Sequence, residues 1–204
     1  MRAFLPIGVL LLVLGAVGCT GEENERSFPV TALPNLVLQP KDLSGEFSRF
    51  DEGPLALADA PVGDRADLDR FGRVGGWKAR YRRAGSPATR GPLVVESRVD
   101  LFEGAGGAEE ELDAHTGELE LLVRHPSTSR LLEIEDLGEE ASALAPAPGD
   151  AEGSAVFFTV VWRRENAVAS VVANGFAGRL VLGDVLELAR AQERRIDGAT
   201  PPDA

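Results

Sequence analysis

Residues 154–175 read SAVFFTVVWRRENAVASVVANG, and their pattern decides the fold class. Val156, Phe158, Val160 and Trp162 alternate with Phe157, Thr159, Val161 and Arg163, the period of two that places one set on each face of a strand. Glu165-Asn166 supplies a two-residue turn, asparagine being one of the few residues comfortable at φ > 0. A hairpin closed there sets Trp162 opposite Ala169 and Val160 opposite Val171, a large side chain against a small one on a single face.

The same alternation recurs upstream. In GGWKARYRR, 75–83, Trp77, Ala79 and Tyr81 alternate with Lys78, Arg80 and Arg82. In LVVESRVDLFE, 93–103, Val95, Ser97, Val99 and Leu101 alternate with Glu96, Arg98 and Asp100. Both predict antiparallel strands with one wet face. RLLEIEDL, 130–137, gives a shorter strand in which Leu132 and Ile134 alternate with acids.

Helical spacing appears in LVLGDVLELARAQERRIDG, 180–198, where Leu182, Val185, Leu186, Ala189, Gln192 and Ile196 form one stripe. Asp184 and Glu187 near its start, and Arg190, Arg194 and Arg195 near its end, suit the helix dipole, and Gly198 can stop it. GAGGAEEELDAHTGELELL, 104–122, carries a second stripe of Ala108, Leu112, Leu119 and Leu122, interrupted by Gly117. A third, shorter helix is expected at DRADLDRFGR, 64–73, and one helical turn at the start of PKDLSGEF, 40–47. Strands joined as hairpins with helices inserted between them predict an α+β fold: an antiparallel sheet of about five strands covered by two or three helices, α/β/α sandwich-like. The alternating βαβ pattern of a doubly wound nucleotide fold is absent.

The amino-terminal end concerns location. MRAFLPIGVLLLVLGAVGC, 1–19, has a basic Arg2, an apolar run from Leu5 to Val17, and small residues ahead of Cys19, the chain's single cysteine. This is the three-part layout of a secretory signal, and the run is short for a spanning helix. One cysteine also excludes an intrachain disulfide. Ala16-Val17-Gly18-Cys19 resembles the lipobox of bacterial lipoproteins. That resemblance implies a signal peptide over 1–18, diacylglycerol on the Cys19 thiol, and N-acylation after cleavage, with no other cofactor. Residues 19–35 read as an acidic flexible tether, about 15 residues spanning roughly 20 Å. A single globular domain is expected over 36–197 and a frayed tail over 198–204. Thr20, not Asp, follows the cysteine, as in lipoproteins sorted to the outer membrane where a host has one.

The run VVWRRENAVASVVANG, 160–175, followed by LELARAQERRI, 186–196, resembles the carboxy-terminal half of small extracytoplasmic proteins of high-GC bacteria. In outline it is similar to lipoprotein domains of the PsbP-like α/β/α sandwich kind, including mycobacterial LpqN-type lipoproteins. The resemblance implies a non-enzymatic binding or accessory role toward an envelope ligand or protein partner. It carries over no site residues.

Composition and motifs narrow the chemistry. The formal charge is −12, and loss of Arg2 with the leader makes it one unit more negative, which disfavours nucleic acid. His115 and His125 are the only histidines, and no GxSxG elbow occurs, so a hydrolase would need a site assembled from distant residues. FEGAGGAEEE, 102–111, lacks the lysine of a phosphate loop. The acidic stretch 51–69 lacks the alternating order of a calcium loop. Glu111, His115 and Glu118, spaced i, i+4 and i+7, share a helical face and form a weak metal-ligand candidate; three ligands from one helix make poor geometry, and a solvated acidic face is the favoured reading. Lys78, Arg80, Arg82 and Arg83 form a dense basic patch, a candidate for an acidic ligand. The alternative pairs them with Glu96, Asp100 and Glu133 on neighbouring strands. Trp77, Tyr81, Phe157, Phe158 and Trp162 read as core, with an apolar-ligand cavity as the rival. The remaining alternative is a purely structural envelope component.

Overall fold

A computed structural model describes residues 27–56, 67, 69–123, 129–147, 149 and 151–199. The described chain forms seven strands: β1 (Ser48–Pro54), β2 (Arg73–Arg82), β3 (Val94–Phe102), β4 (Ser129–Glu133), β5 (Glu140–Pro146), β6 (Ala155–Arg164) and β7 (Ala167–Phe176). Helices α1 (Leu33–Leu36), α2 (Ala105–Val123) and α3 (Leu182–Asp197) complete it. All strands join one antiparallel sheet in the order β1-β2-β3-β7-β6-β5-β4. Two meanders, β1 to β3 and β4 to β7, are therefore stitched together by β3 against β7.

The β6–β7 hairpin has the expected register, with Val160 opposite Val171 and Trp162 opposite Ala169. On its other side Trp162 faces Ala141 of β5. The indole thus sits between two alanines and is fully buried. The turn differs in one respect: Glu165, not Asn166, takes the positive φ of 54°. Asn166 is buried instead, accepting from Phe28 N–H at 2.7 Å and donating to the Phe102 carbonyl at 2.8 Å. Its amide is occupied as a staple between three segments of chain.

Seven strands replace the expected five, because β1 and β5 carry little strand signal. β1, SRFDEGP, is charged, ends in Gly-Pro, and is bulged between Arg49 and Asp51, as an edge strand tolerates. β5, EASALAP, buries Ala141, Ala143 and Ala145. Alanine is a poor strand former by propensity; here it makes room for Trp162.

Helices cover both faces. On one, α3 buries Val185, Ala189, Gln192 and Ile196 against Tyr81, Val99, Val160 and Trp162, as its stripe predicts. On the other, α2 packs Ala108, Leu112 and Leu119 on Phe102, Leu144, Val161 and Val168. Leu122 does not join that stripe: it is exposed, and Val123 packs there instead. Pro40–Asp42 forms the anticipated single turn, of 3-10 type. The helix expected over 64–73 is a 3-10 turn at Arg70–Gly72, after which β2 begins at Arg73; residues 64–66 and 68 lie outside the described residues.

A further correction concerns the tether. Phe28, Leu33 and Leu36 are buried in the α3-side core, so chain assigned to the tether up to residue 35 packs into the domain from Phe28 onward. Apolar side chains between Pro29 and Pro34 are what the prolines obscured: proline at the first helical turn is compatible with α1.

Candidate binding surfaces

The basic patch divides. Lys78 and Arg80 project from the α2 side of the sheet into a lattice of opposite charge. Asp51 of β1 receives Lys78 Nζ at 3.1 Å and Arg80 Nη1 at 3.2 Å. Glu96 of β3 takes both Arg80 Nε and Arg98 Nε, and Arg73 pairs with Asp100. Asp51, Arg80 and Glu96 are directly opposed residues on three adjacent strands, so the sheet register itself sets these pairs. Such partly exposed pairs each contribute modestly, about 1 kcal/mol or less. Glu96 is the expected partner. Glu133 is not, since it lies on β4 at the far edge of the sheet, and Asp51 takes its place from a strand that periodicity did not reveal.

Arg82 is exposed and stacks its guanidinium 5.3 Å from the Phe50 ring centroid. Arg83 lies past the end of β2. Its Nε donates to the Pro92 carbonyl at 2.7 Å, its Nη1 pairs with Glu46 at 2.7 Å, and it stands over Phe47.

Following Tyr81 in the strand's alternation, Arg83 reaches a groove of about 510 Å³ beside α3, with Phe47, Pro92, Leu188, Arg190 and Arg194. A second groove, also about 510 Å³, is lined by Ala32, Asn35, Lys41, Arg194 and Arg195. The two share Asp42, Ala191 and Arg194. Asp42 accepts from Gln39 N–H at 2.8 Å and meets Arg195 Nη1 at 3.4 Å. Asp184 caps α3 through Val181 N–H at 3.1 Å. Both carboxylates are thus engaged, whereas Lys41, Arg190 and Arg194 form no ion pair among the described residues. In the sequence Arg190 and Arg194 read only as partners of the helix dipole. Their spacing of four, which puts them on one helical face, was the available signal.

The aromatic residues separate likewise. Tyr81, Phe158 and Trp162 are core. Tyr81 donates its hydroxyl to the Leu38 carbonyl at 2.7 Å, and burial pushes its phenol pKa up. Phe157 points to the opposite face and is 62% exposed, contrary to its assignment to the core, because strand alternation turns it from the apolar side. Trp77 is half-buried in a cleft of about 280 Å³ with Val30, Leu33, Pro54 and Leu55. A cleft of about 270 Å³ adjoins Val156, Phe158, Leu180 and Val181.

Glu111, His115 and Glu118 are half-buried on α2. Among the described residues no group of three His, Cys, Asp or Glu side chains is placed to hold a metal ion. None of the four clefts above is lined by His115. Of the acidic stretch 51–69, Asp51 and Glu52 form ion pairs with Lys78, Arg80 and Arg49. Cys19 and His125 lie outside the described residues. Among the described residues no helix is long and apolar enough to cross a membrane.

The architecture is thus an antiparallel sheet with helices on both faces and two charged surfaces. No family model and no curated protein matches the chain. Among solved structures it is similar to the extracellular domain of PknH from Mycobacterium tuberculosis, with a TM-score of 0.57 and 10% sequence identity, over 85% of this chain and 99% of that one. At that identity the likeness defines a shared fold.

Proposed function

We propose that the protein is a lipid-anchored extracytoplasmic lipoprotein whose domain is a non-enzymatic binding or accessory module for an envelope ligand or protein partner. The observation that carries the reading is the position of Cys19, after an apolar leader and nine residues ahead of Phe28, the first buried side chain among the described residues. Diacylglycerol on the thiol and an N-acyl chain together hold firmly, since each buried methylene contributes about 0.8 kcal/mol and a single chain is only marginal. Kinship with PsbP-like, LpqN-type lipoproteins belongs to the same proposal. A fold shared with the extracellular domain of PknH is in keeping with an extracytoplasmic address.

Binding in this reading uses the charged surfaces. The groove at Arg83 joins guanidinium groups to the apolar Phe47 and Leu188, which suits an acidic ligand with an apolar portion. On the sheet, Arg82 stands at the border of the lattice of Lys78 and Arg80, beside Phe50. Fractionation with Cys19→Ala tests the anchor: the variant is expected in the soluble envelope fraction, and its retention in the membrane pellet would overturn the reading. Intact mass of the mature protein should show loss of residues 1–18 and an acyl increment. Mass spectrometry of extracts from the purified protein then identifies any bound envelope ligand.

A further inference from the structure

The charge of this acidic protein is distributed unequally across its sheet. On the outer side of α2, Glu109, Glu110, Asp113 and Glu120 are exposed and form no ion pair among the described residues. Across the sheet, the exposed Arg190 and Arg194 of α3 and the adjoining Lys41 are likewise uncommitted, while Asp42 and Asp184 between them are engaged. Among the described residues Glu187 is the one exposed carboxylate lining the first groove. Because α2 and α3 pack on opposite faces, charge is graded across the sheet: α3 sets Arg190, Arg194 and Arg195 against Asp184, Glu187, Glu193 and Asp197, whereas α2 carries six acids and no lysine or arginine, so the α3 side is the less negative end.

The point of attachment lies on that side too. Phe28 and Leu33 pack in the α3-side core, and Ala32 and Asn35 line the same groove as Lys41 and Arg194. From Cys19 to Phe28 the chain spans nine residues, at most about 30 Å when fully extended. A tether of that length lets the domain touch the bilayer, where the surface potential acts on it; that potential falls off over roughly 8 Å at physiological salt.

We infer that the α3 face, through Lys41, Arg190 and Arg194, is the surface by which the domain docks on anionic lipid headgroups, leaving the acidic α2 side turned away. The inference rests on the lipoprotein reading above. Net negative charge repels the body as a whole from such a surface, so the orientation that presents Lys41, Arg190 and Arg194 and turns the acids of α2 away is favoured over the others. The short tether makes that selection matter, and it exposes the α2 side of the sheet, with Arg82 and Phe157, to partners from the envelope space.

The lipidated mature protein offers a direct test, because Cys19 is consumed and an added cysteine is the only free thiol. Asn35→Cys and Glu110→Cys are each labelled with a fluorescent donor, and the protein is reconstituted into vesicles carrying an acceptor lipid. On vesicles containing phosphatidylglycerol the label at position 35 is expected closer to the bilayer than that at 110, by on the order of 20 Å, about two packed layers. The difference should shrink on phosphatidylcholine vesicles, at high salt, and in the triple variant Lys41→Glu, Arg190→Glu, Arg194→Glu. Equal transfer from both positions on anionic vesicles, or stronger transfer from 110, overturns the orientation while sedimentation with the vesicles keeps the anchor. Failure to sediment overturns the anchor and this inference together.

Discussion

Gln192 of α3 and Ser97 of β3 meet in the core, both fully buried, with the Ser97 hydroxyl donating to Gln192 Oε1 at 2.7 Å. Gln192 Nε2 donates to the Arg98 carbonyl at 2.8 Å, and Leu38 N–H donates to Ser97 Oγ at 2.9 Å. The glutamine therefore occupies an apolar stripe position with its polar atoms satisfied, and it ties the amino-terminal segment, the sheet and α3 together. Gln192→Leu keeps the volume but removes the acceptor of the Ser97 hydroxyl and a donor to the Arg98 carbonyl. It is expected to cost about 1–3 kcal/mol, seen as a lower urea midpoint with an unchanged m-value. An unchanged midpoint would show the network to be energetically idle.

Two glycines of the same helix should respond oppositely to alanine. A Cβ at Gly117 meets nothing within 4 Å, so Gly117→Ala is expected to stabilise by about 0.5–1 kcal/mol through helix propensity. At Gly107 a Cβ would overlap the Phe71 carbonyl oxygen, which is backbone and cannot swing aside. Gly107→Ala should destabilise and loosen the start of α2. Thermal melts of the two variants side by side check the sign of each.

Glu193 gives the protein a specific pH dependence. It accepts from Trp162 Nε1 at 2.6 Å, and burial pushes its carboxyl pKa above the ordinary value despite that bond and the nearby Arg164. A carboxyl raised on folding binds its proton more tightly in the native state, so its contribution is greatest below the ordinary carboxylate pKa and is lost as pH rises through the elevated one. Relative to Glu193→Gln, which cannot titrate yet still offers an oxygen to Trp162, the wild type should gain stability on acidification across that window. Parallel urea titrations at pH 7 and in the acidic range read the difference. A gap independent of pH would contradict the shift.

The staple at Asn166 makes the amino-terminal segment part of the cooperative unit. Asn166→Ala removes the acceptor of Phe28 N–H and the donor to the Phe102 carbonyl, at an expected cost of about 1–3 kcal/mol. Hydrogen exchange should accelerate over residues 28–36 ahead of the β6–β7 strands. Uniform protection across both regions would count against the staple.

Several features of the candidate surfaces were open to a reading of residue order alone. The alternation in 75–83 put Lys78, Arg80 and Arg82 on one face, and they share it. What alternation could not supply was Asp51, whose strand is too polar and too short in apolar residues to announce itself. The same alternation puts Arg83 with Tyr81 on the α3 side, apart from the other three, but it could not show that Glu46 and the Pro92 carbonyl receive it there. The value of Lys41 and Arg194 to one groove depends on the packing of Pro40–Asp42 against α3, a contact between residues more than 150 positions apart.

Residue order by itself determined the local periods: the β6–β7 hairpin and its register, the wet and dry faces of β2 and β3, the stripe of α3, and an apolar run ahead of the single cysteine. These follow from side-chain spacing, which acts within a few residues. Tertiary structure alone decided that β3 pairs with β7, that α2 carries the chain to the far edge of the sheet, and that alanine-rich β5 is a strand. It also decided that Phe28 and Leu33 belong to the core. Each of those is settled by which distant surface is there to bury against, and burial free energy takes no account of separation along the chain.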